Sequence, residues 1–330
     1  MNKPNSAPTM KDVAREAGVA LGTVSKVING IPVGESYRLR VEEAAAKLGY
    51  QVNQYARGLK TNKTGCVALI MPSVVHPYFA MLIQEITKAL AQRGCRTNLL
   101  ITDFDPQAEQ LCIQLMRQNK VDGAIGLTYN PNLVLDEDLP FVAIDRYFSA
   151  TVPCVASDNF GGGRLAAEKL EQLGCKRLAF IRTASSVPGE TDKRRHGFES
   201  YCLAQKLSYE ILELIDARED DPRFEAFLRE HLADGKLTID GIFCGTDRIA
   251  MCIWQLLAKM GVKVPTDVQI IGFDGLRRLS DEKYYCSTIV QPVEQIAQTC
   301  VNLVLSEDRS SLPAVVCLPV TYAPGETTRG

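Results

Sequence analysis

At 330 residues, 46% hydrophobic and 23% charged, the chain holds enough apolar material for a large core, and no stretch reads as an 18-residue uncharged membrane span. The near balance of 37 Lys and Arg against 39 Asp and Glu hides an asymmetry, because residues 1–64 carry ten basic and five acidic side chains and leave 27 against 34 to the remainder. A small basic module on a mildly acidic body directs a polyanion to the module alone and excludes a broadly nucleic-acid-coated or membrane-surface protein.

The first segment, MNKPNSAPTMKD, lacks the apolar core of a secretory signal, so the chain is expected to stay in the cytoplasm. Eleven cysteines without a C-x-x-C pair agree with that expectation. Several sit in apolar runs, as Cys244 and Cys317 do, and are expected to be buried reduced thiols. His76, His196 and His231 stand in unrelated contexts without metal-ligand spacing, so no metal site is expected.

Residues 10–30 read as two short amphipathic helices around a glycine turn, a helix-turn-helix. Val13, Ala14 and Ala17 give one apolar face, Gly18 the reversal, and Val24, Val27 and Ile28 the face that packs back. The second helix keeps Thr23, Ser25, Lys26 and Asn29 on its outer side, groups that contact phosphates and base edges in a major groove. Residues 35–50 predict a third helix with Leu39, Val41, Ala45 and Leu48 closing the small core and Gly49 just past its end. The polar, basic stretch 51–64 follows as a hinge.

Beyond residue 65, apolar strands alternate with amphipathic helices. Strands are predicted at 66–71, 97–101, 123–127, 141–144, 177–181, 210–214, 241–244 and 268–273. Near-continuous apolar strands separated by helices call for parallel sheets covered on both faces, and comparable sets before and after residue 157 imply two lobes. A cleft between such lobes is lined by strand C-termini. Asp158, Arg194 and Asp274 are candidates there: two carboxylates accept hydroxyl or amine hydrogens and a guanidinium donates to oxygens, which suits a polyhydroxylated or heteroaromatic molecule. The two aspartates also read as helix caps. Arg146 and Tyr147 follow another strand, whereas Trp254, in an apolar helical pattern, is expected to pack against a sheet. The glycines at 161–163 are expected to allow close approach of lobes or ligand. No G-x-G-x-x-G follows the first strand, and neither G-x-x-x-x-G-K-[ST] nor G-x-S-x-G occurs, so no catalytic residues are expected.

The chain resembles the LacI/GalR family of bacterial transcription regulators over nearly its whole length. The matching strings are KDVAREAGVALGTVSKVING and KLGY in the head, ARGL in the hinge, and VDGAI, the SDN of 157–159 and IIGFD in the body. The resemblance implies an all-α helix-turn-helix head over 1–50, a hinge over 51–64 that becomes helical on DNA, and a periplasmic-binding-protein-like α/β body over 65–330. That body is a pair of doubly wound parallel-sheet lobes, the first about 65–160 and 292–318 and the second about 161–291 and 319–330. The resemblance places effector contacts at Asp158, Arg194 and Asp274 and turns Tyr78 or Phe79 toward the cleft. In the hinge it makes Leu59 a minor-groove wedge beside Arg57, with Val52 where the family usually has proline and Gly58 weakening the helix. Leu21 and Gly22 occupy positions that in the family commonly read bases, which leaves Lys26 as the main charged reader, Leu21 for a thymine methyl, and Thr23, Ser25, Asn29 and Tyr37 for phosphates.

The implied function is a homodimeric repressor of a pseudo-palindromic double-stranded operator, controlled by a small molecule and without cofactor, metal, membrane partner or enzymatic activity. A sugar or sugar derivative is the favoured effector and a purine or nucleoside the alternative. A solute-binding protein without a DNA role is the reading from a different class.

Overall fold

The computed structural model describes residues 8–28, 30–50, 64–119, 121–135, 139–278, 280 and 282–329. It separates into two compact units, Met1–Thr64 and Gly65–Gly330.

The first unit holds helices α1 (Met10–Ala17), α2 (Leu21–Ile28) and α3 (Glu35–Leu48). Thr9 and Asp12 form a reciprocal capping box, the Thr9 N–H donating to Asp12 Oδ2 at 2.9 Å and the Asp12 N–H to Thr9 Oγ1 at 3.4 Å. Gly18 ends α1 at φ +60°, a left-handed conformation that glycine adopts without a Cβ penalty. Arg40 Nη2 on α3 donates to the carbonyls of Ala17 and Gly18 at 2.6 and 3.0 Å and clamps that turn. Val13, Ala14, Ala17, Val24, Val41 and Ala44 form the core. Leu39 does not join them and is 47% exposed. It lies two residues before Val41, about 200° around the helix, so the two cannot share a face, and Ala44 takes the core position instead.

The second unit alternates strands and helices: β1 (Cys66–Met71), α4 (Pro77–Gln92), β2 (Arg96–Ile101), α5 (Pro106–Asn119), β3 (Gly123–Gly126), β4 (Phe141–Ile144), β5 (Cys154–Ser157), α6 (Asn159–Gln172), β6 (Arg177–Ala184), α7 (Lys193–Gln205), β7 (Ser208–Ile215) and α8 (Pro222–Glu230). A small hairpin, β8 (Leu232–Ala233) and β9 (Lys236–Leu237), precedes β10 (Gly241–Cys244), α9 (Asp247–Lys259), β11 (Gln269–Asp274), β12 (Ser287–Val290), α10 (Val293–Val304), β13 (Val315–Leu318) and β14 (Thr321–Ala323). The strands build two six-stranded sheets, ordered β13-β5-β4-β3-β1-β2 and β14-β12-β11-β10-β6-β7. Every pairing within them is parallel except β14 on β12. The central strands β3, β4, β10 and β11 are buried throughout, which is why they read as unbroken apolar runs.

The chain passes between the sheets after Ser157, after Val290 and again between β13 and β14. The short strands β5, β12, β13 and β14, which periodicity does not reveal, are the ones that flank these passages. Trp254 packs half-buried against the core of the second sheet, as its helical spacing predicts. Cys317 differs from expectation: β13 is a sheet edge with alternating exposure, and its thiol faces outward.

Within the glycine run of α6, Gly161 packs on its own cap Asp158, Gly162 on Phe273 and Val320, and Gly163 on α7, so the run serves local packing rather than contact with a ligand. A Cβ on Gly163 would lie 2.0 Å from the Arg194 carbonyl oxygen, and one on Gly197 would lie 2.0 Å from that of Phe160. Both helices therefore need glycine where their backbones touch, and that touch seats Arg194.

Candidate ligand cleft and nucleic-acid interface

In the helical unit, α2 leaves Lys26 exposed and Leu21 43% exposed, with Thr23 and Ser25 half-buried beside them. Tyr37, on the first turn of α3, is 49% exposed. An exposed leucine at the start of the helix and an exposed lysine more than a turn later offer one apolar and one cationic contact to a groove floor. Asn29, Val52, Arg57, Gly58 and Leu59 lie outside the described residues.

In the α/β unit, the C-terminal ends of both sheets face a cavity of about 1190 Å³. Thr128 after β3, Asp145 after β4, Gly245 after β10 and Asp274 at the end of β11 all line it. Four residues at or just beyond strand ends, Phe104, Asp145, Asp216 and Asp274, line it with positive φ of +61°, +55°, +49° and +131°. Non-glycine residues held there store strain, a mark that clusters at ligand sites.

Arg194 is the centre of the charged set. It is 4% exposed, lies with its guanidinium carbon 3.7 Å above the Phe273 ring, and donates from Nε to Asn159 Oδ1 at 2.7 Å and from Nη1 to the Gly245 carbonyl at 2.6 Å. Asp274 Oδ1 stands 3.9 Å from Nη1 and accepts from Gln291 Nε2 at 2.8 Å, while Asp274 Oδ2 is buried without a partner. Asp145 Oδ1 and Thr128 Oγ1 are also buried and unpartnered. An unmet buried acceptor costs about 1–3 kcal/mol, a penalty that a ligand hydroxyl removes. Burial pushes the Asp274 carboxyl well above the usual carboxylate range and the Asp145 carboxyl up to about 6, in each case against the pull of the Arg194 cation.

Gln291, at the second passage between the sheets, joins the two lobes. Its Oε1 accepts from Tyr78 of α4 at 2.9 Å and from Ser157 of β5 at 2.7 Å, while its Nε2 holds Asp274 of β11. Tyr78 and Phe79 both line the cavity, and burial holds the Tyr78 phenol well above its ordinary range. Phe79, Phe104 and Tyr129 form an aromatic wall with centroid separations of 6.4 and 5.2 Å. Arg146 lines the cavity as well, stacked 4.4 Å over Phe148 and donating from Nη1 to the Asn130 carbonyl at 2.6 Å.

Of the residues named from sequence, the structure brings Tyr78, Phe79, Arg146, Arg194 and Asp274 to one cavity. It does not bring Asp158 or Tyr147 there. Asp158 follows β5, next to the sheet edge, and its Oδ1 accepts the Gly161 N–H at 2.8 Å as an N-cap. Its neighbour Asn159 is the residue that turns inward, to Arg194. Tyr147 is 50% exposed. Sequence reasoning does not single out Asp145, Asn159 or Gln291 as site residues. Asp145 carried a legible signal, because FVAID, like IIGFD, places an aspartate directly after an apolar strand.

Residues 9–53 match the family model described as bacterial regulatory proteins, lacI family, and residues 64–308 match that of periplasmic binding proteins and sugar binding domain of LacI family. The chain is 31% identical over 331 residues to the sucrose operon repressor of Pediococcus pentosaceus, covering 97% of this chain and 99% of that one. It is 31% identical over 329 residues to the ribose operon repressor of Halalkalibacterium halodurans, covering 98% and 97%. Among solved structures it is similar to a lac repressor dimer bound to operator and an anti-inducer, with TM-score 0.82 over 98% of this chain and 100% of that chain at 21% identity, a likeness of fold.

Proposed function

We propose that this chain, which belongs to the LacI family of bacterial regulatory proteins, is a cytoplasmic, homodimeric transcriptional repressor that binds double-stranded operator DNA through its helix-turn-helix and is controlled by a sugar in the cleft of its body. The observation that carries the sugar is the trio Asp145, Arg194 and Asp274 lining one cavity, in which the guanidinium stands 3.9 Å from Asp274 and the two buried carboxylates each keep an unpaired oxygen. Hydroxyl groups supply the donors these oxygens lack, and an aromatic wall faces the less polar side of a sugar ring. Relatives named as sucrose and ribose operon repressors support the same class of effector.

For the DNA side, two copies with twofold symmetry present two recognition helices to the half-sites of a pseudo-palindrome. Residues 51–63 connect each head to its body. The reading makes them the coupling element, ordered when two hinges meet on DNA, with Leu59 as the wedge and Arg57 beside it. The cleft set consists of Tyr78, Phe79, Asp145, Arg146, Arg194 and Asp274, and the reading calls for no cofactor and no catalytic step.

Thermal denaturation of the full chain against sucrose, its constituent monosaccharides, ribose and nucleosides tests the effector class. A ligand at 100 times its Kd adds about 2.7 kcal/mol of stability, a readable rise in Tm. Stabilisation by a nucleoside and by no sugar overturns the sugar assignment.

A further inference from the structure

We infer that the cleft selects an uncharged, hydroxyl-rich sugar and rejects the phosphorylated or carboxylated form of the same sugar, with Asp145 and Asp274 setting that preference. The inference rests on the sugar reading of the cleft and narrows it to one charge class.

The cations at the cavity already have protein acceptors. Five guanidiniums and seven carboxylates are among the residues that line it. Arg182 donates from Nε to Glu213 at 2.6 Å, from Nη1 to the Thr191 carbonyl at 3.0 Å and from Nη2 to Asp192 at 2.7 Å. Arg218 holds Asp220 through two bonds of 2.9 and 3.0 Å, and Arg248 pairs with Glu219 at 2.7 Å. Arg194 and Arg146 are engaged as described above. A phosphate needs a fork of directed N–H donors and a local excess of positive charge, and the lining has the opposite balance.

Helix N-termini are the other seat for an anion, and those of α4, α5, α7 and α9 reach the cleft; α5 opens on Pro106, which has no N–H, and the Asp192 carboxylate stands just ahead of α7. The helix α4 begins at Pro77, which has no N–H to give. The helix α9 begins with the Asp247 carboxylate at its own positive end, and Thr246 Oγ1 takes the Ile249 N–H at 3.2 Å.

On the acceptor side the demand is unmet. Asp145 is 8% and Asp274 2% exposed, and Asp145 Oδ1, Asp274 Oδ2 and Thr128 Oγ1 are buried without partners among the described residues. A sugar hydroxyl donates to such an oxygen. A phosphate dianion or a sugar carboxylate offers only acceptors to these oxygens, and its charge adds to that of the Asp145 carboxylate in a poorly screened site.

Isothermal titration of the full chain with paired ligands tests the inference: sucrose, glucose, fructose and ribose, each against its phosphate monoester, and glucose against gluconate. The expected result is that whichever neutral sugar binds does so at least about 100-fold more tightly than its anionic partner. In Asp145→Asn that ratio should narrow, because one repelling charge is gone while the hydrogen-bonding shape is kept. An anionic partner that binds the native chain as tightly as the neutral sugar, or more tightly, overturns the inference and leaves the sugar reading standing. If no sugar in the panel binds, neutral or anionic, the sugar reading fails and the inference falls with it.

Discussion

His76 Nε2 lies 3.5 Å from Glu219 Oε1, so a side chain at the start of α4, on the first sheet, meets one from the loop after β7, on the second. Glu219 is held in turn by Arg248 Nε at 2.7 Å, and His76 and Glu219 both line the cavity. The contact forms a clasp across the mouth of the cleft. The two side chains are 16% and 27% exposed, so solvent screening limits the value of the pair to about 1 kcal/mol or less. Glu219→Gln should weaken sugar binding by up to about fivefold in calorimetry and leave operator binding by the ligand-free chain unchanged. An unchanged Kd at low salt means that the clasp contributes nothing to closure.

Removal of Arg194 should have a much larger effect. Its guanidinium faces Asp274 and holds Asn159 and the Gly245 carbonyl in a site closed to solvent. Truncating a buried charged partner costs roughly 2–5 kcal/mol, enough to erase micromolar binding, so Arg194→Ala should abolish the ligand response. The helical head is a separate compact unit, and DNA binding without ligand should survive. Ligand affinity close to that of the native chain, with the fold intact by circular dichroism, would contradict the placement of the site.

The pH dependence follows from Asp145, whose carboxyl is pushed by burial from 3.8 up to about 6. The folded chain then keeps a proton that the unfolded chain has already lost. Stability from this group is complete below the unfolded pKa and is lost as pH rises through the folded one, a window of about pH 4 to 6. A ligand hydroxyl that donates to Oδ1 favours the carboxylate, so binding releases a proton and affinity should rise from about pH 5 to about pH 7.5 before levelling off. Titrations at about pH 5.5 in buffers of different ionisation enthalpy read the proton directly. A binding enthalpy independent of the buffer would remove Asp145 from the contact.

Much of this architecture is legible in the amino-acid order, and the exceptions share a cause. Val13, Gly18 and Val24 mark the helix-turn-helix because their spacing is local, and the strands of the body announce themselves as apolar runs. Arg194 and Asp274 stand out as polar groups where an α/β unit opens. Asp158 and Asn159 could not be ranked this way, since one residue of rotation at the start of α6 decides which side chain caps the helix and which turns to Arg194. Gln291 has no local signal at all. Its role exists because the chain passes between the sheets at that point and brings Tyr78, Ser157 and Asp274 within reach of one amide. Leu39 misleads for the reverse reason, an apolar residue on the solvent side of a short helix.

On DNA, the charge asymmetry of the chain predicts binding that weakens steeply with salt, with a log–log slope of about −0.9 per neutralised phosphate. Lys26, exposed on α2, should address guanine edges, and Lys26→Ala should cost about 1–3 kcal/mol and relax preference at one position of each half-site. Binding selections with both proteins on randomised duplexes separate the two roles. A uniform loss across all sequences would make Lys26 a phosphate contact.

The central claim is that occupancy of the cleft changes grip on the operator, and it is tested by measuring operator affinity with and without saturating sugar. The operator comes from duplexes selected by the full chain, the sugar from the denaturation screen, and the readout is fluorescence anisotropy at fixed salt. Coupling of about 1–3 kcal/mol between two sites corresponds to a change of about 5- to 150-fold in operator Kd, and a change in that range is the predicted result. The same change should be absent in Arg194→Ala. An operator Kd that stays the same at saturating ligand, in a chain shown by calorimetry to be occupied, would contradict the account.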